Sequence, residues 1–201
     1  FFVVLHADKI VLSWMFGATE SGRVVIGLYN QAFQLMMKPV YLVTTPVTGI
    51  MLPALSRAKD DPGLFGSLTL NFFRMTSIAL LPCGVGLAVV SQDAMLLLGG
   101  EAWRDAGVLL GVLAPVVLVK GHINICGSVF AALGRADRLS FGAAIQTMLI
   151  AQAAFMAYFI SQQLDSDMLS SAYNMAVGYT LTTLAVIAFP YLYFCFRTAR
   201  I

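Results

Sequence analysis

Six residues in the stretch Gly22 to Pro53 recur on one helical period. Asn30, Gln34, Lys38, Tyr41, Thr45 and Thr48 follow one another at spacings of four, four, three, four and three, which lays them along a single face of a helix. A second, shorter line repeats the pattern: Lys120, Asn124 and Ser128 recur every four residues. Each line carries one cation and at least one side-chain amide. A lysine offers a point charge to a phosphate, and an amide offers a donor and an acceptor to sugar hydroxyls. The chemistry these residue types suit is recognition of an anionic, sugar-bearing molecule, without bond making or breaking.

The segments that hold these lines are strongly apolar. Hydrophobic residues make up 59% of the 201 residues, charged residues 11%, and mean hydropathy is +0.84, which places the chain among integral membrane proteins. The net charge of +2 and the absence of any basic run argue against nucleic-acid binding. A lysine at the centre of a membrane-spanning helix costs roughly 2.5–3.5 kcal/mol, so it is expected to face a wet or polar interior. Lys38 lies 16 residues beyond Gly22 and Lys120 lies 17 beyond Trp103, too deep for easy snorkelling to an interface. The plainer alternative is that the amides bond neighbouring helices and the lysines reach an interface.

About 20 apolar residues cross a membrane. On that measure the expected architecture is an all-α polytopic transmembrane bundle with spans near 1–17, 22–53, 64–90, 106–133, 139–160 and 168–196. Pro39 and Pro46 suggest a kink near Lys38 in the second span, and Ser56 to Gly63 reads as the clearest break. Ser91 to Asp105 reads as an interfacial hairpin with Trp103 at headgroup level, and the Gly107/Gly111 spacing would permit close helix contact. If spans alternate, Arg57, Lys59, Arg135, Arg138, Arg197 and Arg200 share one side, and only Arg23 and Arg104 share the other. The positive-inside rule then puts the first side, and the C-terminus, in the cytoplasm. The chain starts at Phe1 inside an apolar segment, without a signal peptide, and is expected to be part of a longer protein.

The remaining ionisable groups are few. Asp8 and Lys9 lie in the first apolar segment, and Asp8 is a candidate proton or cation site. Arg74 lies near the start of its span, where a cytoplasmic mouth position is expected. His6 and His122 have no ligand-like neighbour in sequence, and Cys83, Cys126 and Cys195 show no metal spacing, so neither a metal nor another cofactor is expected. GxSxG, HExxH and P-loop signatures are absent, and no aspartate-rich pair occurs, so the expectation is a non-enzyme.

Several runs resemble one known family. Ala7 to Asp61 contains Asp8, the Gly-Leu-Tyr-Asn run at Gly27 to Asn30, Pro39, and Leu-Pro-Ala-Leu-Ser at Leu52 to Ser56. With LLLGGEAWRDAG at Leu96 to Gly107 and FAALGRADRLS at Phe130 to Ser140, it is similar to the polysaccharide-repeat (Wzx-like) flippases of the multidrug, oligosaccharidyl-lipid and polysaccharide exporter superfamily. The resemblance implies two lobes of about six helices around a central cavity, of which this chain would be the second. It also implies transport of undecaprenyl-pyrophosphate-linked oligosaccharides across the bacterial cytoplasmic membrane, with membrane lipids, the N-terminal lobe and polymerase or export machinery as partners. The cavity's basic role falls on Lys38 and Lys120. A drug or cation antiporter, a peptidoglycan-precursor flippase and a membrane-embedded glycosyltransferase or polymerase are the alternatives. The first would depend on carboxylates, of which only Asp8 qualifies, and the last would normally show a large outer loop.

Overall fold

The computed structural model describes residues 20–135 and 168–187, together with single helical positions at 13, 144, 148, 152, 193 and 197. Every element among these residues is helical. They are α1 (Glu20–Ala58), α2 (Pro62–Val89), α3 (Ser91–Gly99), a 3-10 turn (Gly100–Trp103), α4 (Arg104–Leu113), α5 (Val116–Ala132), α6 (Met168–Leu181) and a π-helical turn (Thr182–Ile187). The chain is thus all-α, and α1 and α2 are each long and apolar enough to cross a membrane. The segment Ser91–Leu113 and α5, bent by 57° where they join, pass the same test as a pair. The expected spans at 1–17 and 139–160, apart from single positions, and most of the part of 168–196 beyond Ile187 fall outside the described residues.

The central element is α1, which packs against α2, α4, α5 and α6. Its inner face, Tyr29, Ala32, Phe33, Met36 and Val40, joins Leu80, Met95, Leu109, Leu110, Leu113, Val117 and Tyr179 in one core. Further along, Met51 and Leu55 meet Phe65, Phe73, Ile125, Val129 and Phe130 in a second. Pro39, Pro46 and Pro53 lie inside α1, yet the helix continues through all three. Each proline removes one backbone donor, and membrane helices tolerate the loss when neighbours re-satisfy the carbonyl. Their spacing of seven puts them on one strip, so the bends they favour point the same way. The kink expected near Lys38 is therefore no break.

The break between α1 and α2 is shorter than the sequence suggests. Nothing in Ser56–Ala58 stops a helix, and α2 restarts at once because Asp61 caps it: the carboxylate accepts from Gly63 N at 3.0 Å and Leu64 N at 3.1 Å, with Pro62 as first helical residue. From Met75 onward the exposed face of α2, with Met75, Ile78, Leu81, Val85 and Val89, is apolar, as a lipid-facing strip should be, while Asn71 and Arg74 are exposed nearer its start.

The hairpin expected at 91–105 is present as α3, the 3-10 turn and α4. Gly107 makes it possible: a Cβ there would lie 2.6 Å from the Cα of Gln92, and one at Gly111 would lie 3.0 Å from Ser91 Oγ. At the tip Gly100 takes φ 64° and Trp103 packs flat over Gly99. The span expected at 106–133 comprises two helices, α4 and α5, separated at Ala114–Pro115. Pro115 leaves the Gly111 carbonyl without its helical donor, and Val117 N turns to Ala114 O at 3.1 Å. The hydroxyl of Thr180, on α6, donates to Val112 O at 2.9 Å and satisfies a carbonyl at the bend.

Candidate functional site

The first polar line lies on the outside of the described bundle. Gln34, Lys38, Tyr41 and Thr45 are exposed and Asn30 and Thr48 are half-buried. The core residues of α1 occupy the other side, so the helix is divided between an apolar inner face and a mixed outer one, where the polar line runs beside exposed Val24, Leu42, Ile50 and Leu52. Tyr41 is 55% exposed, and the Lys38 ammonium is carried on a surface with no carboxylate in the same line. Unsatisfied polar groups in hydrocarbon cost several kcal/mol each, so this line of amides, hydroxyls and one cation calls for polar partners or water.

The second line turns inward. Lys120, Asn124 and Ser128 are half-buried on α5. Asn124 Nδ2 donates to Thr44 Oγ1 at 3.3 Å, and Thr44 in turn donates to Val40 O at 2.8 Å. Lys120 Nζ stands 5.6 Å from the centre of the Tyr179 ring, which packs edge-on against Phe33 at 5.9 Å. Ser128 Oγ lies 3.5 Å from Asn124 O. The two lines meet α1 on different sides: Asn124 touches Thr44 on the inner face, whereas Lys38 looks outward. Thr44 is a residue that spacing alone passes over, because Thr45 continues the exposed line and Thr44 belongs to the core.

Arg74 is exposed on α2, next in sequence to the buried Phe73. Asp8 and Lys9 lie outside the described residues. His122, which has no partner in the linear sequence, sits between α5 and α2: Nδ1 is 2.6 Å from Leu118 O, Nε2 is 2.8 Å from Ser77 Oγ, and the ring stacks on Phe73 at 5.4 Å and 23°. Ser77 precedes it by 45 residues, so periodicity could not link them. Among the described residues no group of three or more His, Cys, Asp or Glu side chains is placed to hold a metal ion.

Comparison with known proteins gives these helices a family. Residues 2–107 match the family described as "Polysaccharide biosynthesis protein". The teichuronic acid biosynthesis protein TuaB of Bacillus subtilis (strain 168) is 31% identical over 132 residues, 66% of this chain and 26% of that protein. The lipopolysaccharide biosynthesis protein WzxC of Escherichia coli (strain K12) is 30% identical over 142 residues, 66% of this chain and 28% of that one. The succinoglycan biosynthesis transport protein ExoT of Rhizobium meliloti (strain 1021) is 26% identical over 127 residues, 63% and 24% respectively. The chain thus matches about a quarter of the length of these curated relatives. No solved structure matches it. With membrane-spanning helices and these matches together, the chain belongs to the polysaccharide biosynthesis protein family, whose Wzx-like members it resembles.

Proposed function

We propose that the protein, as part of a longer transporter, moves undecaprenyl-pyrophosphate-linked oligosaccharide repeat units across the bacterial cytoplasmic membrane for cell-surface polysaccharide biosynthesis. The observation that carries this reading is the exposed Asn30–Gln34–Lys38–Tyr41–Thr45 face of α1, set on a helix whose length and apolar content suit a membrane. Lys38 supplies the charge for the pyrophosphate, and the amides and hydroxyls supply sugar contacts. Lys120, Asn124 and Ser128 form the inner wall behind that face. The lipid tail stays in the bilayer while the head group crosses, and two lobes rocking about the polar path would expose it to each side in turn.

On this reading the other lobe belongs to the same longer chain, and the turn at Arg57 and Lys59 and the C-terminus are cytoplasmic. Arg74 stands at the cytoplasmic mouth, Asp8 and Lys9 couple an ion to transport, and polymerase or export machinery takes the delivered units. The protein acts without catalysis of its own. The cationic line distinguishes this cargo from the organic cations of a drug antiporter, which would call for a carboxylate where Lys38 stands.

The test is glycan delivery in cells that depend on the full-length protein. Lys38→Ala is expected to lower surface polysaccharide at least about tenfold and to accumulate its lipid-linked precursor, with Lys38→Arg restoring most of it; a tenfold effect corresponds to about 1.4 kcal/mol. Normal delivery by Lys38→Ala and Lys120→Ala, at normal protein levels, refutes the charge role.

A further inference from the structure

The α2–α5 contact contains a histidine whose surroundings accommodate two protonation states. Leu118 O can only accept, so the 2.6 Å contact requires a proton on His122 Nδ1. The neutral ring then presents an unprotonated Nε2 to Ser77, and the Ser77 hydroxyl donates to it across 2.8 Å. Ser77 also has a second acceptor, the Phe73 carbonyl at 2.9 Å on its own helix. When Nε2 gains a proton, the hydroxyl can turn to Phe73 O and accept from Nε2–H in its place. Each polar group keeps a partner in both states, and only one hydroxyl proton moves.

We infer that His122 is a proton-binding site between α2 and α5, with Ser77 as the hydroxyl that reverses its hydrogen bond when the proton arrives. Binding converts a neutral hydrogen bond between the two helices into a charge-assisted one, which is stronger and shorter. The site therefore links proton occupancy to how tightly α2 holds α5. That contact is already close: a Cβ on Gly121 would collide with Leu80 and lie 3.5 Å from Thr76 Cγ2.

The ionisable groups around it are mostly cationic or neutral. On α5 they are Lys120, engaged with the Tyr179 ring of α6, and the buried Cys126. On α2 they are Arg74 and Cys83, both exposed. On α1 they are Lys38 and Tyr41 along its middle, exposed, with buried Tyr29 and exposed Glu20, Arg23 and Arg57 toward its ends. The packed π-helical turn carries none. No carboxylate occurs on α2 or α5, and α1 has only Glu20 at its first residue. The ring's polar partners are therefore Ser77 and Leu118 O rather than a carboxylate.

Histidine 15N NMR on the full-length protein in lipid nanodiscs, titrated from about pH 8.5 to 5, covers the range of imidazole protonation. The His122 resonances, identified by their loss in His122→Gln or His122→Asn, are expected to begin as the Nδ1–H tautomer and to convert reversibly to the doubly protonated ring. Ser77→Ala, which removes the reversing hydroxyl, is expected to displace the midpoint by about half a pH unit or more. A wild-type ring that stays in one neutral tautomer across the range overturns the inference. A transition that Ser77→Ala leaves in place overturns the role given to Ser77. Neither result depends on the cargo, so both can be read separately from glycan delivery.

Discussion

At the scale of single residues, the two lysines that look alike in sequence do different things. Lys38 is exposed on the outer face of α1, whereas Lys120 is half-buried with its ammonium over Tyr179. Tyr179→Leu in the full-length protein should therefore change the behaviour of Lys120→Ala and leave that of Lys38→Ala untouched. Independent, additive effects of Tyr179→Leu with both lysine variants would count against the pairing. The Asn124–Thr44 bond is a second local test. A double-mutant cycle with Asn124→Ala and Thr44→Val is expected to give a coupling of about 0.6 kcal/mol, the usual size of a hydrogen bond between membrane helices. The Lys38 line was legible because a period of 3.6 residues is all that defines a helical face. Thr44 and His122 were not, because their partners, Asn124 and Ser77, lie 80 and 45 residues away and no local spacing encodes such contacts.

At the scale of elements, the prolines show where sequence reading reaches and where it stops. Three prolines sit inside α1 without ending it, whereas Pro115 lies at the join between α4 and α5. The residue is the same in each case. At the α4–α5 bend the Thr180 hydroxyl on α6 donates to Val112 O. Thr180→Val should destabilise the protein by about 1 kcal/mol, the net worth of one hydrogen bond, here to a part-buried carbonyl. Differential scanning of the purified protein in detergent would register it as a lowered midpoint. The glycine spacing at Gly107 and Gly111 was readable, and the structure supplies the partner that sequence withheld, the backbone at Gln92. Gly107→Val is expected to cost about 1–3 kcal/mol by overpacking against a backbone that cannot yield. Gly27→Ala, with nothing within 4 Å of the added carbon, should be neutral or slightly stabilising.

At the scale of the whole molecule, hydropathy carried the reading furthest. A composition this apolar leaves few alternatives to a helical membrane bundle, and α1 and α2 have the expected length and character. The proposed topology is testable by cysteine labelling in a background without native cysteines. Lys59→Cys and Arg135→Cys should react from the cytoplasmic side and Glu101→Cys from the opposite one. Reaction of Lys59→Cys and Glu101→Cys from the same side would remove the alternation on which the topology rests. What hydropathy does not encode is which outer face meets lipid. That the polar line of α1 is exposed beside Leu42 and Ile50, and that α2 is apolar outside from Met75 onward, emerges only once the buried face of each helix is known.

The central claim, that this polar strip serves the passage of a lipid-linked glycan, is tested most directly by reconstitution. Full-length protein in proteoliposomes, supplied with undecaprenyl-pyrophosphate-linked oligosaccharide in one leaflet, should deliver the head group to the other faster than protein-free vesicles. Lys38→Ala should slow that delivery at least about tenfold, and Lys38→Arg should restore it. Translocation no faster than in protein-free vesicles, with protein folded and inserted, would contradict the transport reading, and equal rates for wild type and Lys38→Ala would contradict the part assigned to Lys38.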